Sequence, residues 1–393
     1  MCIRDSINIY HNQLAINVHH IAFDGWSTDI FLTELTDLYN GKDLPRKTVQ
    51  YKDFAKWQIN NQTQDMLKPQ RSYWLKELNG YSPIDFPTDY VRPQRFDYTG
   101  DELNYHLSDG LIQQLNQVAR MHDTSFYCVA LSAFILLLSA YSNQNDVVVG
   151  TPIAGRHIQG TEDMIGFFVN SLAIRTTFDN GIKFTDLLSK VTRKIAISQA
   201  NQDLPFEQLV EALHIKKDMS RNPIFQIMFS IEDNMDSLIG KNALFNSLNQ
   251  NLSLKSSKFD FSLTYRGNNL NLTYATKLFK PETILNIVKT YELILKQIAN
   301  EPSRRLDSIQ LSMQEIACQH ENYPEKSLAN LFEEQVLRTP DQVAINFKQY
   351  QLTYGELNIR ANKVAHSLID QGIKPGMHLS LIHISEPTRR SYI

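Results

Sequence analysis

Apolar and polar residues alternate one for one over residues 14–20. Leu14, Ile16, Val18 and His20 fall on one face and Ala15, Asn17 and His19 on the other, the two-residue repeat of a strand. Residues 7–10 have the same character across His11-Asn12-Gln13, which predicts a hairpin. Asp24-Gly25 breaks the alternation and the repeat lengthens. Phe31, Leu35 and Leu38 lie at i, i+4 and i+7, predicting a helix to Tyr39 with Ser27 or Thr28 as its cap and Asn40-Gly41 as its stop. Tyr51, Phe54 and Trp57 share one face of a further helix as a packing stripe. Residues 82–93 hold Pro83, Pro87 and Pro93 and read as an extended linker. Beyond it the pattern predicts a helix over 111–121, an apolar helix to Ala140 capped by Thr124 or Ser125, and a buried strand at 147–149. Two strands within 258–279 and a helix over 281–298 follow. A polar stretch, 301–326, with Pro302 and Pro324, then separates this pattern from a helix at 328–336 and from residues 352–358, which open another.

Composition narrows the classes. A chain of 393 residues has room for two or three domains of about 150 residues each. Hydrophobic residues make up 42% and charged residues 21%, the balance of an ordinary globular protein. Net charge is −3 and the basic pairs Lys216-Lys217 and Arg304-Arg305 are isolated, so neither nucleic acid nor an anionic membrane is predicted as a partner. The apolar run at 128–140 is interrupted by Ser132 and Ser139 and is too short to span a bilayer; it reads as a core helix. Cys2, Cys128 and Cys318 are scattered and odd in number, which argues against a disulfide framework and, with no visible leader, predicts a cytoplasmic protein. Residues 1–6 and 381–393 continue no neighbouring pattern. They read as non-native ends on an internal fragment of a longer polypeptide.

Candidate chemistry concentrates at His19, His20 and Asp24. Three readings stand: inert structural histidines, metal ligation by His20 with Asp24, and acid–base work by His20 with Asp24 holding the loop. Zinc needs three or four ligands, and no second Cys/His cluster at ligand spacing supplies them. Residues 150–156 mimic the spacing of a phosphate-binding loop, but Arg156 and His157 stand where such a loop has Lys and Ser/Thr, and Pro152 removes a backbone donor. No nucleotide site is predicted there. Asp24, if buried, needs a cation, because an unpaired buried carboxylate is costly.

Residues 18–27, Val-His-His-Ile-Ala-Phe-Asp-Gly-Trp-Ser, resemble the HHxxxDG motif of nonribosomal peptide synthetase condensation domains, which belong to the chloramphenicol-acetyltransferase-like acyltransferases. Further resemblances follow in family order. They are Tyr51 to Trp57 (YxDFAxW), Thr151 to Arg156 (TPxxGR), Ile165 to Leu172 with Arg175, and Arg221 to Phe229 (RNPxFQxMF). Asn201 to Glu207 resembles HQDLPFE, with Asn201 where the family has His, so any role of that imidazole is absent. Leu352 to Leu357 resembles the L-T-Y-x-E-L opening motif of an adenylation domain.

The resemblance implies an α/β (α+β) fold of two acetyltransferase-like lobes in a V, the first lobe incomplete. Its segments are 7–81 and 95–311 joined by a linker at 82–94, then a second linker at 312–326 and the start of an adenylation domain at 327–380. It further implies amide formation between thioesters on donor and acceptor peptidyl carrier domains, with phosphopantetheine as their tether, an adenylation domain in cis, and no cofactor or metal bound directly. His20 becomes the base or the group that positions the amine. His19 and Gly25 become its support, Arg175 the partner of Asp24, and Asn222 a channel residue, while Gly166 and its apolar flanks suit a strand over 165–172 that bridges the two lobes. Amides near Gly25 and Trp26 become oxyanion donors. A cyclisation domain would carry Asp at the two histidines, and an epimerisation domain would not run into an adenylation opener. A non-catalytic carrier-docking fragment is the alternative from another class.

Overall fold

The computed structural model describes residues 5–10, 13–61, 64–216, 218–232, 255–311, 327–347 and 350–374. Cys2, Cys318, the predicted linker at 312–326 and the tail at 381–393 lie outside them. The chain forms two compact units, divided at Met313 and Gln314.

The first unit opens with the predicted hairpin. β1 (Asp5–Tyr10) pairs antiparallel with β2 (Gln13–Val18), so Asp5 and Ser6, read above as part of a foreign end, belong to a strand paired with Val18 and Asn17. β2 ends at Val18. The two histidines stand just beyond it, at the strand end in the loop that opens onto a helix, His19 as cap and His20 as first residue of a 3₁₀ turn, so the face shared by Leu14, Ile16 and Val18 stops short of His20. The helix that follows, α1 (Gly25–Tyr39), is capped by Asp24 and not by Ser27 or Thr28. Asp24 is extended at φ −115° and its Oδ1 accepts the Ser27 amide at 2.9 Å, leaving Ser27 inside the first turn. α2 (Tyr51–Asn61) and α3 (Gln64–Glu77) come next.

A six-stranded mixed sheet forms the body of this unit. Its strands are β3 (Gly100–His106), β4 (Asp146–Ile153), β5 (Asn170–Thr177), β6 (Ile227–Glu232), β7 (Phe261–Arg266) and β8 (Asn269–Ala275). They lie in the order β3-β8-β7-β6-β4-β5, with β7 parallel to β6, β6 parallel to β4 and the remaining neighbours antiparallel. Helices α4 (Asp109–Met121), α5 (Phe126–Ser142), α6 (Phe184–Gln199), α7 (Phe206–Ala212) and α8 (Pro281–Asn300) accompany it. α5 has no polar face. Every residue from Cys128 to Ser139 is buried, because α4, α6 and α8 pack around it while β4 closes it from the sheet side. Its two interior serines are satisfied locally: Ser132 donates to the Cys128 carbonyl and Ser139 to Asn145. Ser125 caps the helix at the Cys128 amide.

The predicted lobe boundary at residue 81 does not divide the cores. Leu67, Trp74 and Leu78 of α3 and the helix end sit in the same hydrophobic cluster as the sheet, and the Trp74 indole donates to the Asn201 carbonyl at 2.8 Å. Residues 82–94 form no helix or strand, as the prolines require, yet Ile84 and Phe86 enter that core, so the linker is strapped down along the body.

The second unit holds α9 (Leu328–Arg338), a hairpin of β9 (Val343–Phe347) and β10 (Tyr350–Thr353), and α10 (Tyr354–Asp370). Thr353 and Glu356 form a reciprocal capping box at the head of α10, which explains the helix opening predicted at 352–358.

Candidate active site

The two adjacent histidines adopt opposite proton arrangements. His19 Nδ1 accepts the Ile21 amide at 3.1 Å, so in the neutral ring the proton lies on Nε2. His20 Nδ1 lies 2.6 Å from the Phe23 carbonyl, which can only accept; Nδ1 therefore carries a proton, and in the neutral ring the lone pair is on Nε2. Both rings are exposed, and the His20 ring meets the Phe167 ring edge-on at 5.1 Å. The 3₁₀ turn separates the pair chemically: one imidazole is spent as a cap, the other is oriented with a basic nitrogen to spare.

Asp24 anchors this turn from below. The residue is 2% exposed, and its carboxylate accepts from the Ser27 amide and hydroxyl, from the Phe168 amide at 3.1 Å, and from Arg156 Nη2 at 2.9 and 3.1 Å. Arg156 is the cation that the buried carboxylate requires. Its Nη1 donates to the Thr161 and Met164 carbonyls at 2.7 and 2.6 Å, and its guanidinium carbon lies 4.2 Å from the centre of the Phe168 ring. Gly155, just before it, has φ +64° and a Cβ there would fall 2.1 Å from the Phe168 carbonyl oxygen. Only glycine allows the turn that aims Arg156 at Asp24.

Residues 165–169 are not a strand, contrary to the sequence expectation; β5 begins at Asn170. They form a loop held at Gly166, Phe167 and Phe168 by the first turn of α1, by α2 and by Asp24. The Gly166 amide donates to Ser27 Oγ at 3.0 Å, and Tyr51 donates to the Phe167 carbonyl at 2.7 Å. A Cβ on Gly166 would meet the Tyr51 ring at 2.2 Å. Phe54 and Phe168 pack at 4.7 Å, which makes the Tyr51–Phe54 stripe a scaffold as predicted, while Trp57 is 40% exposed. Burial, and secondly the charge of Asp24, push the Tyr51 phenol up from its ordinary range.

Arg175 does not meet Asp24. It pairs with Asp146 through Nε and Nη2 at 2.8 and 2.6 Å and donates from Nη1 to the Glu77 and Asn79 carbonyls, closing the C-terminal end of α3. The Asp146 hydrogen bonds raise its pKa further. Residue 175 lies opposite Val148, far along β5 from the end that faces Asp24, whereas residue 156 lies just past the end of β4 beside the start of β5. In the sequence Arg156 stands where a phosphate loop has Lys and ends the TPxxGR segment, and neither pattern pairs it with Asp24. The usable signal was its place after Gly155 at the exit of a buried strand.

The Asn222 side-chain amide donates to the Lys258 backbone carbonyl at 2.5 Å, and the Asn222 backbone carbonyl accepts from the Gln226 side-chain amide. Asn201 donates to the Ile197 carbonyl. A cleft of about 920 Å³ lies on the hairpin side, lined by Ile16, Val18, Ile21, Phe23, Phe31 and Tyr51 among others, and a second of about 440 Å³ lies by β4. Neither His20 nor Asn222 lines either one. The amides of Gly25 and Trp26 fall in the first turn of α1, where helical amides have no intrahelical acceptor. Among the described residues no three His, Cys, Asp or Glu side chains converge as metal ligands. No single described helix is long and apolar enough to cross a membrane.

The condensation-domain family model matches residues 8–317. The chain belongs to the condensation-domain family. The AMP-binding enzyme family model matches residues 332–387, across the second unit. Surfactin synthase subunit 1 of Bacillus subtilis (strain 168) is 36% identical over 379 residues, and tyrocidine synthase 3 of Brevibacillus parabrevis 38% over 375. The alignments cover 93% and 92% of this chain but only 10% and 6% of those relatives. Among solved structures, a four-domain nonribosomal peptide synthetase, holo-AB3403 bound to AMP and glycine, superposes with a TM-score of 0.67 at 22% identity, covering 92% of this chain and 30% of that one. The X-domain from teicoplanin biosynthesis gives 0.67 at 23% identity, over 76% of this chain and 71% of that one. At those identities the likeness carries the condensation fold and no more.

Proposed function

We propose that this condensation domain forms an amide bond between two acyl groups held as thioesters on phosphopantetheine-bearing donor and acceptor carrier domains. It does so in the cytoplasm as a segment of a multi-domain synthetase, with an adenylation domain in cis beginning in the second unit. The observation that carries this reading is the His20 ring: exposed, fixed through Nδ1–H to the Phe23 carbonyl at 2.6 Å, and in its neutral form left with the lone pair on Nε2. Such a nitrogen accepts the proton of an attacking amine, or holds that amine while the tetrahedral intermediate forms. His19 is unsuited, because its Nδ1 lone pair already binds the Ile21 amide. The Asp24–Arg156 pair acts at one remove, holding the turn in place. Gly25 and Trp26 amides, at the positive end of α1, supply donors for the oxyanion.

The test is dipeptide formation by the synthetase with both carrier domains loaded. His20→Ala is expected to lower the rate by about 10²–10⁴-fold with carrier loading unchanged, and His19→Ala to cost far less. Turnover near normal in the His20 variant would refute both the base and the positioning role.

A further inference from the structure

The second cavity lies where the sheet splits. β4 and β6 run parallel but pair at one position only, Gly150 with Met228. That pinch is fixed, since a Cβ on Gly150 would fall 2.1 Å from the Phe225 ring. Beyond it, Thr151 and Ile153 on one strand and Ile231 on the other line the cavity of about 440 Å³, within the range of about 300–1,000 Å³ typical of small-ligand sites. Trp26, Leu172 and Ile195 add apolar wall; Gln199, Gln202 and His157 add polar groups. Among the described lining residues there is no carboxylate, and the nearby Asp203 is already held by His157 Nε2 at 2.9 Å and by Gln70. Arg156 also lines the cavity, and its buried Nε–H has no acceptor among the described residues. Trp26 ties this space to the histidine loop, following Asp24 by two residues and sharing the first turn of α1.

We infer that this cavity receives the side chain of one of the two acyl groups that are joined, and that it selects an apolar or amide-tipped side chain over a cationic one. The inference rests on the amide-forming reading above. The apolar walls remove the body of the side chain from water, while the two glutamine amides offer both donors and acceptors to its tip. An ammonium tip would be desolvated beside Arg156 and His157, and the carboxylates described there, Asp24 and Asp203, are already paired with those two residues, which makes its burial costly.

Trp26 provides a readout that needs no turnover. Fluorescence of the full chain is titrated with pantetheine amides of leucine, glutamine and lysine, which cannot react, and Trp26→Phe identifies the signal. The leucine and glutamine probes are expected to bind about tenfold more tightly than the lysine probe, and Gln199→Leu to move the glutamine-to-leucine preference about tenfold toward leucine. Equal affinity for all three probes, or no binding, overturns the inference; the first result would assign the cavity to the pantetheine portion they share. Side-chain-selective binding by a protein whose His20→Ala variant still forms dipeptide normally would sink the catalytic reading and leave this one standing.

Discussion

A double-mutant cycle on Asp24 and Arg156 tests the central electrostatic claim. Arg156→Met leaves a carboxylate that is 2% exposed with the Ser27 and Phe168 groups as its donors among the described residues, and also strips the Thr161 and Met164 carbonyls of a charged partner. Breaking a buried pair from one side costs about 3–5 kcal/mol. Asp24→Asn keeps an oxygen for the Ser27 amide, since Asn and Asp cap about equally well, but it leaves the guanidinium buried without a counter-charge. A loss of about 3–5 kcal/mol is expected again. The double variant buries neither charge, so its loss should fall short of the sum by about 2–3 kcal/mol, the coupling of groups in direct contact. Urea unfolding followed by tryptophan fluorescence measures this cleanly, because Trp26, Trp57 and Trp74 all lie in the first unit, and equal m-values make the midpoints comparable. The control is Asp24→Asn with Arg175→Met. Arg175 binds Asp146, so those two losses should add within about 0.5 kcal/mol. Full additivity in the first cycle, or strong coupling in the second, would refute the pairing.

Two further outcomes follow from packing. Gly166→Ala places a methyl 2.2 Å from the Tyr51 ring and should destabilise the first unit by about 1–3 kcal/mol in the same unfolding assay; an unchanged midpoint would mean the ring has room to yield. Tyr265 and Tyr291 are fully buried, hydrogen-bonded to each other at 2.9 Å, and burial pushes both phenols well up. The unfolded chain releases these protons near pH 10 while the fold still holds them, so stability is intact below about pH 10 and falls as pH rises beyond it. Phenolate absorbance from this pair should appear together with unfolding, and its appearance in the folded protein would contradict the burial.

Local pattern determined a good deal here. The two-residue alternation fixed the hairpin, with Ile16 and Val18 on one face, because a strand repeats whatever its surroundings. Ser125 and the Thr353–Glu356 box start their helices through bonds made within one turn, so the residues alone announce them. The order of motifs, from the paired histidines to the adenylation opener, made the family legible. Asp24 as a cap was missed because Ser27 is an equally good capping residue by type; only the register of the first turn distinguishes them. Tertiary structure decided the rest. A buried carboxylate demands a cation, but Coulomb attraction does not name which of two arginines supplies it. The antiparallel run of β4 against β5 carried Arg175 to the far end and left Arg156 beside Asp24, a distance no one-dimensional spacing encodes. The same holds for α3, whose Trp74 is buried at 1% exposure against residues more than a hundred positions away. Side-chain type and short-range order set what each element is; which charges and rings finally meet is set by chain direction in three dimensions.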